Sequence, residues 1–292
     1  MRVLLVKILL RFCALMPLRV DHAIGALIGS LLAWLPNPLR RVSERNLDLC
    51  LPELPAAERR RLLRQSLVET ARTALETGPL WLWPADRIRP LIVEETGTEA
   101  IDAARAAGRG VLLAAPHLGS WELAGHFAAW RWGVTSLYRP PRLAGLEDLM
   151  CRGREHLGAR LVPTDAHGVR SLYQTLREGG VVAILPDQEP GSGGGVFAPF
   201  FGIEAWTMLL LSRLARKTGA AVFFGYCERL PGGRYRMRFH PAPPDIADAD
   251  PRTAASALNR GVAACVRECP AQYAWSYRRF RTRPPGEPPL YE

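Results

Sequence analysis

The chain predicts an α/β fold: a mixed, largely parallel sheet flanked by helices, with N-terminal helices that associate with a membrane. Three observations predict it. Short apolar runs alternate with helix-periodic stretches from residue 99 to residue 268. Gly108, Gly179 and Gly219 stop three of the helical patterns just before strand-like runs. Residues 1–80 carry leucine-rich helical patterning and no strand signal. At 292 residues, the chain is long enough to bury a full core.

Taken in order, Leu4 to Leu18 is apolar but interrupted by Lys7 and Arg11, and Ala23 to Leu35 is uncharged. A spanning helix needs roughly 18 consecutive apolar residues, so neither run spans alone. Cations among leucines suit helices lying in the membrane interface; an ordinary buried helical hairpin is the alternative. Ala56 to Glu76 places Leu62, Leu63, Leu67, Ala71 and Ala74 at helix spacing, and Pro79 to Pro90 breaks that pattern. The expected strands are Val111–Ala115, Val134–Tyr138, Ala159–Val162, Val181–Leu185, Ala221–Tyr226 and Tyr235–Phe239. The expected helices lie near 99–107, 121–131, 144–156, 168–178, 206–218 and 252–268, the last with Asp250 as N-cap and Pro251 at its first position. Gly191-Ser192-Gly193-Gly194-Gly195 reads as a flexible loop without the Lys-Ser/Thr of a P-loop. The proline-rich end from Thr282 reads as extended, with no core of its own. Three regions follow: helical anchor 1–80, α/β domain 81–284 and tail 285–292.

The formal charge is +10, and Lys7 and Lys217 are the only lysines among 38 basic residues. Arginine forks bind phosphates and acidic partners bidentately, while a compositional bias would enrich arginine equally. No nucleic-acid-binding motif accompanies the charge. The six cysteines show no CxxC pair and no zinc spacing, which fits a reduced, cytosol-facing chain better than a disulfide scaffold.

The chemistry centres on Pro116-His117-Leu118-Gly119-Ser120-Trp121-Glu122, directly after the apolar run that ends at Ala115. If His117 stands in the turn and Glu122 in the first helical turn, the carboxylate can orient the imidazole, leaving the other ring nitrogen to accept a proton. A capping histidine beside a helix-start glutamate is the bland reading of the same residues. Arg139 follows a strand and could clamp a phosphate, as could Arg170 from a helix start. Asp187 ends a strand, at the sheet edge where α/β sites gather. Arg278, Arg279, Arg281 and Arg283 form a basic run beside aromatics, either a solvated face or a clamp for headgroup phosphates or an acidic partner, whereas Trp206 and Trp275 read as core or interface anchors.

Taken together, these segments resemble the lipid A biosynthesis late acyltransferases (lauroyl and myristoyl transferases) of the lysophospholipid acyltransferase superfamily. The likeness rests on His117-x4-Glu122, Tyr138-Arg139-Pro140, Asp187-Gln188 with Phe200-Phe201-Gly202, and the C-terminal stretch from Gln272-Tyr273 through Arg278-Arg279-Phe280 to Arg283-Pro284. Arg45-Asn46-Leu47 and Pro52-Glu53-Leu54 extend it towards the N-terminus. Two positions depart from the pattern: Tyr277 stands where many members have histidine, and the strand Ala221–Gly225 lacks a proline. The resemblance implies a glycerol-3-phosphate-acyltransferase-like fold without metal or organic cofactor. It implies His117 as general base with Glu122, and substrate binding by Arg139, Arg170, Asp187, Gln188, Arg278 and Arg279. The donor it implies is an acyl carrier protein thioester. The acceptor is a hydroxyl of a lipid A precursor of the Kdo-lipid IVA type, a membrane glycolipid. The site of action it implies is the cytoplasmic face of the inner membrane, held peripherally or by a single-pass anchor. A lysophospholipid or aminolipid acceptor, and a non-catalytic membrane-binding relative, are the competing readings.

Overall fold

The computed structural model describes every residue except Arg142, Ser192 and Glu292. Four helices come first: α1 (Arg2–Leu15), α2 (Leu18–Trp34), α3 (Pro38–Cys50) and α4 (Ala56–Leu82). The Asn37 side chain accepts the Arg40 N–H and Pro38 fills the first helical position, which together start α3. α2 lies so close on α4 that a Cβ added at Gly29 would stand 2.3 Å from the Val68 Cα, an approach only glycine allows. Inward residues such as Leu10, Leu18, Leu67 and Leu80 are buried. Outward ones are not: Leu5, Ile8 and Phe12 of α1 and Leu27, Leu31 and Trp34 of α2 face solvent. Among the described residues no single helix is long and apolar enough to cross a membrane; α2 and α3 would do so only as a pair bent by 77°.

A short helix, α5 (Ala85–Ile88), leads to β1 (Ile92–Thr96), α6 (Thr98–Ala106), β2 (Val111–Ala114), α7 (Trp121–Trp132) and β3 (Val134–Tyr138). Next come α8 (Glu147–Glu155), β4 (Arg160–Pro163), α9 (Ala166–Arg177) and β5 (Val181–Ile184). The chain continues through β6 (Gly195–Phe200), β7 (Ile203–Met208), α10 (Leu210–Thr218), β8 (Ala221–Leu230), β9 (Arg234–Pro241) and α11 (Pro251–Glu268). Seven strands form one sheet in the order β1-β9-β8-β2-β5-β3-β4. The run from β8 to β4 is parallel, β9 pairs antiparallel with β8, and β1 runs parallel with β9. The fold is therefore α/β with a mostly parallel, mixed sheet.

β2 and β5 are buried at every position, because helices cover both faces of the sheet. Leu112 and Val182 join the core shared with α9, α10 and α11, while Val111, Leu113 and Val181 join the one shared with α6 and α7. From β2 the chain passes to β3 on one side of the sheet, and from β5 it passes to β8 on the other. Open α/β sheets bind ligands outside the strand carboxyl ends at such a reversal.

Several expected elements are corrected. Residues 206–208 belong to a strand and not to a helix, since β6 and β7 form a separate antiparallel hairpin. Alternate residues Ala205 and Thr207 are buried there, a period of two hidden by the apolar start of α10. Phe201 (φ 50°) and Gly202 (φ 80°) make its two-residue turn. The glycine-rich stretch expected to be a flexible loop leads into this hairpin at Gly195, with Ser192 outside the described residues. β1 was not anticipated. Pro79 does not end α4, which runs on to Leu82. The tail is also less free than expected. Tyr291 donates its hydroxyl to Asn46 at 2.5 Å and Leu290 accepts from Arg45, so the described end of the chain is tied to α3.

Candidate active site

β2 and β5 are neighbours in parallel register, with Ala114 opposite Ile184. His117 and Asp187 each lie three residues beyond that pair, so the same register that aligns the strands brings the two side chains together. The His117 Nδ1 is 2.8 Å from Asp187 Oδ1, and the His117 backbone N–H donates to Oδ2 at 2.9 Å. Nδ1–H therefore donates to the carboxylate, which leaves Nε2 with its lone pair. The Gln188 amide nitrogen sits 3.1 Å from Nε2. Burial pushes the Asp187 carboxyl up, but the adjacent His117 ring and its hydrogen bonds outweigh this and hold it below the ordinary carboxylate range. The Trp121 ring lies edge-on to the imidazole.

Glu122 does not orient His117, which corrects the expected pairing. Its carboxylate accepts from Arg154 Nε and Trp81 Nε1, both at 3.0 Å, and a second Arg154 N–H reaches the other oxygen. The reason is helical geometry: Glu122 lies in the first turn of α7 and projects towards α8 and the end of α4, while the strand register has already given His117 its acid. Burial raises Glu122, and Arg154 with Trp81 more than offsets that, so it too titrates below its usual range. His126, one turn further along α7, is pushed down to about 4, chiefly by burial.

A cavity of about 360 Å³ opens at this sheet edge. His117, Gln188, Tyr138, Arg139, Glu122 and Arg154 are among its polar lining residues. Apolar side chains from the core under α7, Leu113, Ala183, Val134 and Phe239 among them, complete it. Such a space, polar at one part and greasy at another, suits a molecule with a reactive head and a hydrocarbon chain.

Other expected residues are placed differently. Arg170 is exposed on α9 and does not line the cavity; nor does Arg278, which lies over the Tyr291 ring. Arg279 is also removed from ligand binding: it is buried, and donates to Trp206 O, Thr207 Oγ1 and Asn259 Oδ1. The C-terminal segment is a scaffold for the two loops that carry the site. Gln272 O accepts from Gly119 N, and Ala274 N donates to His117 O, both at 3.0 Å. The Gln272 side chain in turn brackets the backbone N–H and C=O of Arg229. Tyr277 receives the Glu189 N–H on its hydroxyl at 2.9 Å, and the Glu189 carboxylate accepts from Thr282 and Arg281. Gly119 (φ 62°) must be glycine, because a Cβ there would meet Cys227 O at 2.0 Å. Sequence reasoning gave Gln272 no role and missed Glu189 and Arg154; the equal offsets of His117 and Asp187 from two adjacent strands were the available signal for the pair.

A second polar cluster fastens the N-terminal helices to the sheet. Arg229 on β8 donates to both Glu76 oxygens and to Glu69 and Thr73 of α4, while Tyr235 on β9 donates to Glu76 at 2.7 Å. His22 of α2 closes the group 3.2 Å from Glu76.

Comparison with known proteins identifies the family. The family model described as bacterial lipid A biosynthesis acyltransferase matches residues 1–282. The chain is 32% identical to the lipid A biosynthesis lauroyltransferase of Escherichia coli (strain K12), over 94% of this chain and 90% of that one. It is 29% identical to the palmitoleoyltransferase of the same organism, at the same coverage of both chains. With that organism's myristoyltransferase the identity is 27%, over 94% of this chain and 85% of the other. A histidine–carboxylate pair at the mouth of a part-apolar cavity, in a chain matched almost end to end, makes this protein an acyltransferase and a member of the bacterial lipid A biosynthesis acyltransferase family.

Proposed function

We propose that this enzyme moves a fatty acyl chain from an acyl carrier protein thioester to a hydroxyl of a lipid A precursor, a late step of lipopolysaccharide assembly. The observation that carries the proposal is the His117–Asp187 pair with Nε2 turned to the cavity. The acceptor hydroxyl displaces the Gln188 amide from Nε2 and gives its proton to the ring, while Asp187 holds the tautomer and balances the imidazolium. The hydroxyl oxygen attacks the thioester carbonyl carbon. The tetrahedral intermediate then collapses with cleavage of the C–S bond, and the departing thiolate takes the proton back from His117.

The backbone N–H groups of residues 117 to 120 already have acceptors: Asp187, Pro116 O, Gln272 O and Cys227 O. Stabilisation of the oxyanion therefore falls to side chains lining the cavity, the Gln188 amide and the Arg139 guanidinium. Arg139, exposed at the rim, also suits an acceptor phosphate. Residues 1–80 anchor the enzyme and residues 81–284 catalyse. The exposed leucines, Phe12 and Trp34 of α1 and α2 seat the protein on the cytoplasmic face of the inner membrane, with Lys7 and Arg11 among the headgroups. α1 begins against the segment between β3 and α8, where Val3 packs against Gly145.

The test is transfer of a labelled acyl chain from acyl carrier protein to Kdo-lipid IVA, with lysophospholipid and aminolipid acceptors in parallel and the products weighed by mass spectrometry. His117→Ala is expected to lower kcat/KM by roughly 10³-fold. Full activity of that variant would refute the base assignment, and transfer to a lysophospholipid alone would refute the acceptor.

A further inference from the structure

A groove of about 420 Å³ runs between α2, α3 and α4, on the helical layer and apart from the cavity described above. Ser30, Trp34, Arg40, Arg60 and Arg64 line it, with Glu44 as its one acidic wall residue. Arg60 and Arg64 stand one turn apart on the same face of α4, both exposed. Neither has an ion-pair partner among the described residues. Arg40 is held at the groove by its bond to Trp34 O at 3.1 Å, which also satisfies a carbonyl at the end of α2. Three guanidinium groups against one carboxylate leave the groove cationic.

Its position matters as much as its charge. Trp34 is 76% exposed and belongs both to the groove and to the apolar ridge of Leu27, Leu31 and Leu35. A surface that presents hydrocarbon-seeking side chains beside unpaired arginines, with a tryptophan at the boundary, matches the layering of a bilayer from acyl chains to headgroups. Arginine forks are the groups that grip phosphate oxygens bidentately.

We propose that the groove of Arg40, Arg60 and Arg64 binds the phosphate of an anionic phospholipid headgroup, a lipid site separate from the catalytic cavity. The inference rests on the membrane docking of α1 and α2 proposed above. Docked through the ridge, the protein brings the groove to headgroup level, and the captured phosphate fixes how the enzyme is rotated on the surface.

The test is flotation of the full chain with vesicles of phosphatidylcholine alone and with vesicles that also contain phosphatidylglycerol, at constant ionic strength. The wild type is expected to bind both, the anionic vesicles about tenfold more tightly. The double variant R60Q/R64Q should lose at least about fivefold on anionic vesicles, keep its binding to neutral ones, and keep acyl transfer to detergent-dispersed acceptor. R213Q/K217Q, which removes the same charge from exposed positions on α10, should lose less than about twofold. Equal losses in the two double variants, or no loss in R60Q/R64Q, would overturn the site. Thermal stabilisation by inorganic phosphate without lipid, abolished in R60Q/R64Q, would reassign the groove to a free anion. Failure of the wild type to bind any vesicle would instead overturn the docking on which the site depends.

Discussion

Two carboxylates stand close to the same cavity and do different physical work. Asp187 follows β5 and bonds to both the ring and the backbone of His117. Glu122 opens α7 and bonds to Arg154 and Trp81. Both are screened from solvent, and both titrate below the ordinary range for opposite-charge reasons. The partner makes the difference. On the proposed mechanism, the acid on the imidazole sets which nitrogen takes the proton, and its loss is expected in the chemical step. An acid on an arginine holds two helices and a cavity wall in place, so its loss is read first in the fold and only through it in the rate.

The largest separation should come from Asp187→Asn. The amide keeps the shape but donates where the ring must donate, and kcat is expected to fall by roughly 10²–10³-fold with the melting temperature nearly unchanged. A loss below about threefold in steady-state assays would show that His117 does not depend on this acid.

Next, Glu122→Gln and Arg154→Gln should behave alike. Each leaves a partly buried charge without its partner and should cost about 2 kcal/mol of stability, with activity down by about 10–100-fold through the distorted cavity. The double variant should be no worse than either single one, since the pair acts as a unit. A fall in kcat for Glu122→Gln without loss of stability, and not shared by Arg154→Gln, would show that Glu122 acts on the chemistry directly.

The smallest effect on activity concerns a third carboxylate. Asp21 on α2 is fully buried, neither oxygen has a hydrogen-bond partner among the described residues, and Cys13 and Glu76 are its ionisable neighbours. Burial, reinforced by the charge of Glu76, raises it to about 7. The folded chain then keeps a proton that the unfolded chain releases near pH 4, so stability falls as pH rises between those values. A decline of up to about 4 kcal/mol is expected across that window. Asp21→Asn should flatten it in thermal melts followed as a function of pH; a parallel decline in the variant would place the titration elsewhere.

Much of this arrangement can be read before folding. Parallel strands such as Val111–Ala114 and Val181–Ile184 announce themselves as short runs buried on both faces, and the N-cap at Asp250 and the stop at Gly219 are local chemistry. The β6–β7 hairpin escaped because its alternation runs straight into the apolar start of α10. Arg279 looked like a headgroup clamp because a run of arginines carries no mark of which one turns inward, and only the hairpin behind it supplies the carbonyl and hydroxyl that make its burial tolerable.

By itself, the sequence determined the alternation of strands and helices, the turn that exposes His117, and the presence of two acids able to serve it. Choosing between those acids was left to tertiary structure, because the choice depends on strand order. Placing β5 beside β2 in register sets Asp187 against His117 although 70 residues separate them, whereas Glu122, five residues away, is carried off by the pitch of its helix to Arg154. Proximity along the chain fixes distance only within one element; across elements, pairing and packing decide it.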